Sequence, residues 1–430
     1  MSDPTPGRFR PGSGSGASPR RASGRAPSTQ PGSVVIVGAS AAGLSVAEGL
    51  RRGGYAGRVT LIGEEQHLPY DRPPLSKQLL ADGWDGDRVL LRSPEQIVEL
   101  DLDLRVGQRA VGLNTDTRQV TLSEGEQVGY DTLVVATGVS ARRLRGTEGL
   151  TGVHVLRTLE DALAFRETLR ERARLVIVGS GFVGAEAAAV ARQLGVEVTM
   201  VTDVTTPLAD ALGTELGAML TEVHREHGVR LETGVLVDTV LAENGRATGV
   251  RLADGRNIKA DSVLVGIGAV PSTDWLAGSG VPTGNGVECD ATLYAGSGVW
   301  AAGDVACWRH PRTGTLTRIE HRTNAAEQGL HVARNILAGR DGAQPFDPVP
   351  YVWSDQYDLK FQIYGNTRGA ERVDIVQGSI AERKLVALYS SGGRVCGAVG
   401  VNMPRATRGY RTHIAENAAI APLLTIGSPA

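Results

Sequence analysis

Two glycine turns carry the first chemical signal in the chain. Gly38-Ala39-Ser40-Ala41-Ala42-Gly43 follows the apolar run VVIV at 34–37, and Gly179-Ser180-Gly181-Phe182-Val183-Gly184 follows LVIV at 175–178. In a dinucleotide fingerprint the first glycine makes the tight turn and the second lets a pyrophosphate approach the backbone. The third packs helix on strand. The second turn has glycine at all three places; the first has Ser40 in the middle, still small enough for close approach. Each turn opens a helix whose first N–H groups are unpaired and suited to phosphate. An acid at the end of the next strand would bind ribose hydroxyls, and Glu64 lies 21 residues after Gly43. Beside Glu65 it also reads as a solvated loop carboxylate; the strand–helix–strand context favours the ribose role. In the second unit the corresponding place holds Thr202, with Asp203 one step later. No arginine stands in 202–208 to meet a 2′-phosphate, so NADH is expected, with NADPH possible.

These residues need a scaffold that brings them together. VVIV, the helix-spaced Leu44, Ala47 and Leu50, and RVTLIG at 58–63 make one βαβ unit. The same grammar returns over 174–202. YDTLVVATG at 130–138 and GVWAAGDVA at 298–306 read as two more buried strands ending in glycine-containing turns. After residue 345, FQIYG, RVDIVQG, KLVALYS and VCGAVGVN read as short strands, with a helical stretch from about Arg411. The fold class expected is α/β: two Rossmann-like dinucleotide-binding domains plus a C-terminal α+β domain with an antiparallel sheet. The boundaries drawn are a basic Gly/Pro/Ser-rich tail over 1–32, expected to be disordered, a first nucleotide domain over 33–143 and 269–345, a second over 144–268, and the C-terminal domain over 346–430.

Composition narrows the class. Among 430 residues there are 45 basic and 47 acidic side chains, a net charge of −2, which points to neither nucleic acid nor an anionic membrane. Glycine is in excess, at 56 residues. The three cysteines, Cys289, Cys307 and Cys396, are too far apart for a CxxC centre. Apolar runs are strand-sized, so a cytoplasmic protein that binds no membrane is expected. His224 and His227 lie three apart between Glu222 and Glu226 and read as a solvated helix face, with no third ligand for a metal.

Two fingerprints together with the ATG and GD segments resemble the two-dinucleotide-binding-domain flavoproteins, the glutathione-reductase-like superfamily. In that superfamily the ATG segment marks the crossing between domains. The resemblance implies FAD at the first turn, with Gly303 and Asp304 holding the ribityl chain, and NADH at the second. The disulfide reductases of that group carry a redox cysteine pair after the first βαβ unit. Here that segment is Pro69-Tyr70-Asp71-Arg72-Pro73-Pro74-Leu75-Ser76-Lys77 and has no cysteine. Electrons would therefore leave directly from the flavin.

PYDRPPLSK, IEHRTNAAEQG at 319–329 and VPYVWSDQYD at 349–358 further resemble the ferredoxin reductases of bacterial cytochrome P450 and Rieske oxygenase systems. The resemblance implies Lys77 beside flavin N5 and paired with Glu186 near the nicotinamide. It implies Ala42, Ala110 and Arg142 along the FAD, and Glu320 and Trp353 around the isoalloxazine. A [2Fe–2S] ferredoxin would then take the electrons. Arg322 departs from the pattern, since relatives commonly have an apolar residue, often Trp, there. Either it alters the flavin's surroundings, or only its backbone meets FAD and its side chain points to solvent. A docking patch for an acidic ferredoxin is expected at Arg309, Arg312, Arg318 and Arg322. An oxidase or small-molecule reductase, and an NAD-sensing flavoprotein of the apoptosis-inducing-factor type, are the other readings of the same sites.

Overall fold

The computed structural model describes residues 30–81, 83–171 and 174–426, so most of the tail lies outside the described residues. Continuous β-branched runs build the central strands of two sheets, the first parallel but for the antiparallel edge strand 294–296, as expected where helices cover each side. The first has six strands, in the order 294–296, 299–301, 132–135, 33–37, 58–62, 103–105. The strands Ser33–Val37, Arg58–Ile62 and Thr132–Val135 pair in parallel, with Val37 level with Ile62 and Val135. The second sheet runs 230–233, 198–202, 175–178, 262–265, 153–154 and is parallel throughout. Each sheet is accompanied by a three-stranded antiparallel meander, over 110–129 and 237–259 respectively.

The chain crosses between the two sheets twice, and the crossings pair with each other. Val139–Ala141 runs antiparallel to Ala269–Pro271, with Ser140 opposite Val270. Thr137 donates to the Ser272 carbonyl at 2.8 Å beside this pair.

The C-terminal sheet is antiparallel, in the order 351–356, 359–365, 394–401, 384–391, 372–379. Four of these strands fall on the runs read from the sequence. The fifth, Tyr351–Gln356, carries Trp353-Ser354-Asp355, which in the sequence stands out as a motif and not as a strand. Its alternation is masked because the fully buried residues of its inner face, Ser354 and Gln356, are polar. The helix Ala209–Glu226 lays Leu212, Leu216, Leu220 and Val223 against Phe361, Leu385 and Tyr389. His224 lies on that face and is fully buried, which corrects the reading of this histidine as solvated, while Glu222, Glu226 and His227 are exposed as expected. The pattern Glu222-x-His224-x-Glu226 hid a side-chain network that only the tertiary partner reveals.

The helix Ala41–Arg52 packs along Arg322–Gly342 through small residues. A Cβ on Gly329 would stand 2.5 Å from the Ala42 carbonyl oxygen, so the helices touch backbone to backbone. Gly329→Leu should force them apart, costing about 1–3 kcal/mol. Urea unfolding of the purified protein measures this; an unchanged midpoint and slope would show the helix pair to be loosely packed.

Candidate functional site

Both fingerprints stand at strand–helix turns, and their outer glycines are packing devices. A Cβ on Gly38 would lie 2.1 Å from the Ala136 oxygen, and one on Gly43 2.0 Å from the Gly38 oxygen. Gly179 and Gly184 repeat this, at 2.3 Å from the Gly266 and Gly179 oxygens. Gly181 differs: its Cβ would meet nothing within 4 Å, so the middle position faces open space where a phosphate can approach.

Two joined cavities run from the first fingerprint. The larger, about 620 Å³, is lined by Gly38, Ser40, Glu64, Ala110 and the crossing strands. The smaller, about 230 Å³, is lined by Ala42, Lys77, Glu186, Asp304, Glu320, Arg322 and Trp353. Ser40, Arg72, Ala136, Gly138 and Arg157 border both, so the cavities form one elongated cleft. Buried polar atoms without partners line it: Gln108 Oε1 and Trp275 Nε1 belong to residues of the larger cavity, and His321 Nδ1 to one of the smaller. Such atoms carry a desolvation cost until a polar ligand meets them. An elongated, polar-lined cleft opening at a helix N-terminus fits FAD, and the open face of Gly181 fits a second dinucleotide.

An ion pair borders the smaller cavity. Lys77 Nζ lies 2.8 Å from Glu186 Oε2, and both residues are over nine-tenths buried. Lys77 is placed by the short 3-10 turn Pro73–Ser76, whose prolines fix the backbone, and its Nζ also donates to the Pro73 carbonyl at 3.2 Å. Glu186 sits one turn into the helix Phe182–Gln193. Ser76 Oγ donates to its Oε2 at 2.5 Å and Ser354 Oγ to its Oε1 at 2.7 Å. Three donors from two distant parts of the chain, the turn at 76–77 and the strand holding Ser354, thus converge on one carboxylate, the condition under which a buried charge is tolerated.

Several cleft residues escaped the sequence reading. Arg157 Nη2 lies 3.3 Å from Asp304 Oδ2. Arg72 bonds Glu65 and the Arg157 carbonyl, both at 2.6 Å. Burial, with Arg72 alongside, lowers the pKa of Arg157, and the carboxylate of Asp304 opposes that shift. The signal for Arg72 was present in PYDRPPLSK; nothing local marked Arg157, which a loop brings back to the cleft.

The remaining expected residues fall as follows. Gly303 packs on Ala42, where a Cβ would approach its methyl to 2.9 Å. Glu64 faces Arg109 at 3.7 Å. Glu320 accepts from Arg318 at 2.6 Å, and Trp353 stacks on Tyr351 with ring centroids 6.0 Å apart. Arg142 is exposed and lies outside the lining of both cavities; its neighbour Arg143 borders the larger one. Asp203 is exposed, while Thr202 turns inward and accepts from Ser180 Oγ at 2.9 Å. The Arg322 guanidinium does not point to solvent alone: its Nε pairs with Asp71, and the residue lines the smaller cavity. Of the four arginines expected to form a docking patch, Arg312, Arg318 and Arg322 are paired with Asp347, Glu320 and Asp71. Arg309 donates to the Gly314 carbonyl at 2.7 Å.

Residues 32–329 match the family model described as pyridine nucleotide-disulphide oxidoreductase, and residues 351–425 match the one described as reductase C-terminal. The chain belongs to the pyridine nucleotide-disulphide oxidoreductase family. Within it, the chain is 36% identical to rhodocoxin reductase of Rhodococcus erythropolis over 394 residues, 91% of each chain. It is 35% identical to putidaredoxin reductase of Pseudomonas putida over 379 residues, covering 86% of this chain and 89% of that one. The crystal structure of the covalent putidaredoxin reductase–putidaredoxin complex superposes with a TM-score of 0.86 at 32% identity, covering 92% of this chain and 95% of that one. No helix among the described residues is long and apolar enough to cross a membrane.

Two outcomes are expected from these charges. Lys77→Met, which leaves Glu186 without its cation, should destabilise the fold by about 3–5 kcal/mol, and Lys77→Met with Glu186→Leu should recover most of it. Denaturant titrations of both variants decide; a double variant as unstable as the single one would refute the coupling. Burial pushes His321 down to about 4 against its ordinary 6.5. Between those pH values the unfolded chain binds a proton that the folded one refuses, so stability falls as pH drops from about 6.5 to 4. For His321 the loss should be up to about 3 kcal/mol. His224, also held at about 4, adds in the same direction. A His321→Ser variant should show a shallower decline in unfolding free energy over that interval.

Proposed function

We propose that the protein is an FAD-dependent NADH:ferredoxin reductase serving a cytochrome P450 or Rieske oxygenase. Residues 33–143 and 269–345 would hold FAD and 144–268 NADH, while 346–430 contribute Val352 and Trp353 to the lining of the smaller cavity. The observation that carries this is the buried Lys77–Glu186 pair, whose lysine ends the cysteine-free segment PYDRPPLSK and whose glutamate lies on the helix opened by the second fingerprint. FAD, when bound, supplies the chemistry that accepts a hydride and gives up electrons singly.

This chain's residues do the rest. Gly38, Ser40 and Gly43 admit the FAD pyrophosphate, Glu64 the adenosine ribose, and Asp304 with Arg157 the ribityl chain. Gly179, Gly181 and Gly184 admit the NADH pyrophosphate, and Asp203 its ribose. Lys77 keeps a cation where negative charge accumulates, an electrostatic contribution that needs no proton transfer. Glu186 holds that ammonium in place. Phe182 and Val183 line the cavity on the side of the second fingerprint and offer an apolar surface to the nicotinamide. Trp353 and Glu320 border the cavity on the side offered to a ferredoxin. The ferredoxin–NAD(+) reductase component of the p-cumate 2,3-dioxygenase system of Pseudomonas putida is 34% identical over 90% of this chain, which supports a ferredoxin as partner here.

A small-molecule oxidase or reductase would want Arg322 to offer its charge to a substrate. Asp71 already takes that charge, which favours the ferredoxin reading. Mixing with NADH should bleach the flavin, and cytochrome c reduction should then require added [2Fe–2S] ferredoxin. Ferredoxin-independent turnover with oxygen or quinone would overturn the proposal, and a clear preference for NADPH would overturn the role of Asp203. With three of the four patch arginines neutralised, docking through this face rests on Arg309. Arg309→Glu should lower kcat/KM for ferredoxin by about three- to tenfold at low salt and flatten its salt dependence, leaving ferricyanide reduction unchanged. An unaltered salt slope would place docking elsewhere.

A further inference from the structure

His224 has no contact with the cleft, yet it stands at the head of a hydrogen-bonded chain that ends on Glu186. It is fully buried on the inner face of Ala209–Glu226, among leucines of the helix and the C-terminal sheet. There both ring nitrogens are engaged: Nε2 lies 3.0 Å from Gln356 Oε1 and Nδ1 3.1 Å from the Tyr357 hydroxyl. Gln356, also fully buried, donates its amide to Ser354 Oγ at 3.1 Å, and Ser354 donates to Glu186 Oε1 at 2.7 Å.

The direction of this chain follows from what each group can do. An amide oxygen only accepts, so His224 Nε2 must carry the proton. The Nδ1 of a neutral ring then accepts, and the Tyr357 hydroxyl donates to it. Burial holds the ring neutral, with a value of about 4, and His227, stacked on Tyr357 at 3.7 Å, further disfavours a second positive charge. With Gln356 Oε1 occupied by the imidazole, its NH₂ is left to face Ser354. A hydroxyl has one proton; receiving the amide N–H, Ser354 turns that proton to Glu186. Every bond therefore points the same way, from Tyr357 through His224, Gln356 and Ser354 to the carboxylate.

We propose that His224 is a positioning residue for the Lys77–Glu186 pair: its single tautomer orients Gln356 and Ser354 so that Glu186 Oε1 is always occupied and Oε2 is left to Lys77 and Ser76. The inference rests on the reading of Glu186 as part of the nicotinamide–flavin junction. The chain transmits orientation rather than protons, because a neutral amide in its middle cannot pass a proton without becoming its imidic acid. It also ties the second nucleotide unit to the C-terminal sheet at the point where a rocking motion between them would move Glu186.

The test uses the FAD-loaded protein labelled with ¹⁵N-histidine. The resonances missing in His224→Gln assign His224, which should read as the neutral Nε2–H tautomer from pH 6 to 9. Gln356→Leu, which removes the acceptor, should convert it to a mixture of tautomers. In stopped-flow reduction by NADH, His224→Leu should slow the limiting rate about tenfold with the NADH dissociation constant changed less than twofold. His224→Gln, which still donates to Gln356, should restore the rate to within about threefold. On a Ser354→Ala background His224→Leu should have no further effect, since the chain is already cut. An Nδ1–H tautomer, titration of His224 near 6.5, or a full tenfold effect persisting in Ser354→Ala would each overturn the proposal. If His224→Leu fails to fold, the tautomer shift in Gln356→Leu and the rate of Ser354→Ala decide in its place. A Glu186→Gln variant reduced at the normal rate would instead overturn the reading of Glu186, with the tautomer measurement still reporting on the chain.

Discussion

A lysine ammonium and a glutamate carboxylate held together away from water impose the strictest demand on this fold. Lys77 comes from a proline-stiffened turn after the first βαβ unit, Glu186 from the first helix of the second, and Ser354 from the C-terminal sheet. None of the three units buries or satisfies the pair alone. Their mutual packing is thus set by polar geometry as much as by apolar area. The leucine face of Ala209–Glu226 against Phe361, Leu385 and Tyr389 supplies area, and the carboxylate supplies registration.

Much of the scaffold was legible because its rules are local. A glycine that must adopt φ of 121° beside the Ala136 carbonyl, as Gly38 does, leaves a mark in sequence that survives any tertiary context. The same holds for the buried β-branched runs and the turns of the C-terminal hairpins. Lys77 and Glu186 stand near local motifs and could be named through them. Arg157, Tyr351–Gln356 as a strand, and the burial of His224 could not. Arg157 and His224 depend on partners more than 100 residues away, and the strand Tyr351–Gln356 buries Ser354 and Gln356, polar residues that suit an exposed segment equally well.

The arginines of residues 309–322 teach a related lesson about charge. Counted along the chain they form a basic cluster, whereas in space Asp71, Glu320 and Asp347 return to meet three of them. A linear excess of one sign describes a field only when the opposite charges are distant as well. Arg322 is the clearest case. A residue that looks unsuited to a flavin pocket is accommodated because Asp71, from PYDRPPLSK, reaches across the cavity mouth to it.

The antiparallel pairing of Val139–Ala141 with Ala269–Pro271 bears on how the chain acquires its shape during synthesis. Everything between these strands leaves and re-enters the first sheet at one point, so the second parallel sheet, over 153–265, is closed on itself in sequence. The first sheet is not: Thr132–Val135 must wait for Val299–Ala301 to become its neighbour. A chain emerging N-terminus first therefore completes its inserted unit before its host, and the host's central strands remain without their outer edge until that insertion is in place. The glycine turn at 38–43 is made before most of the fold and is among the last parts of it to be enclosed.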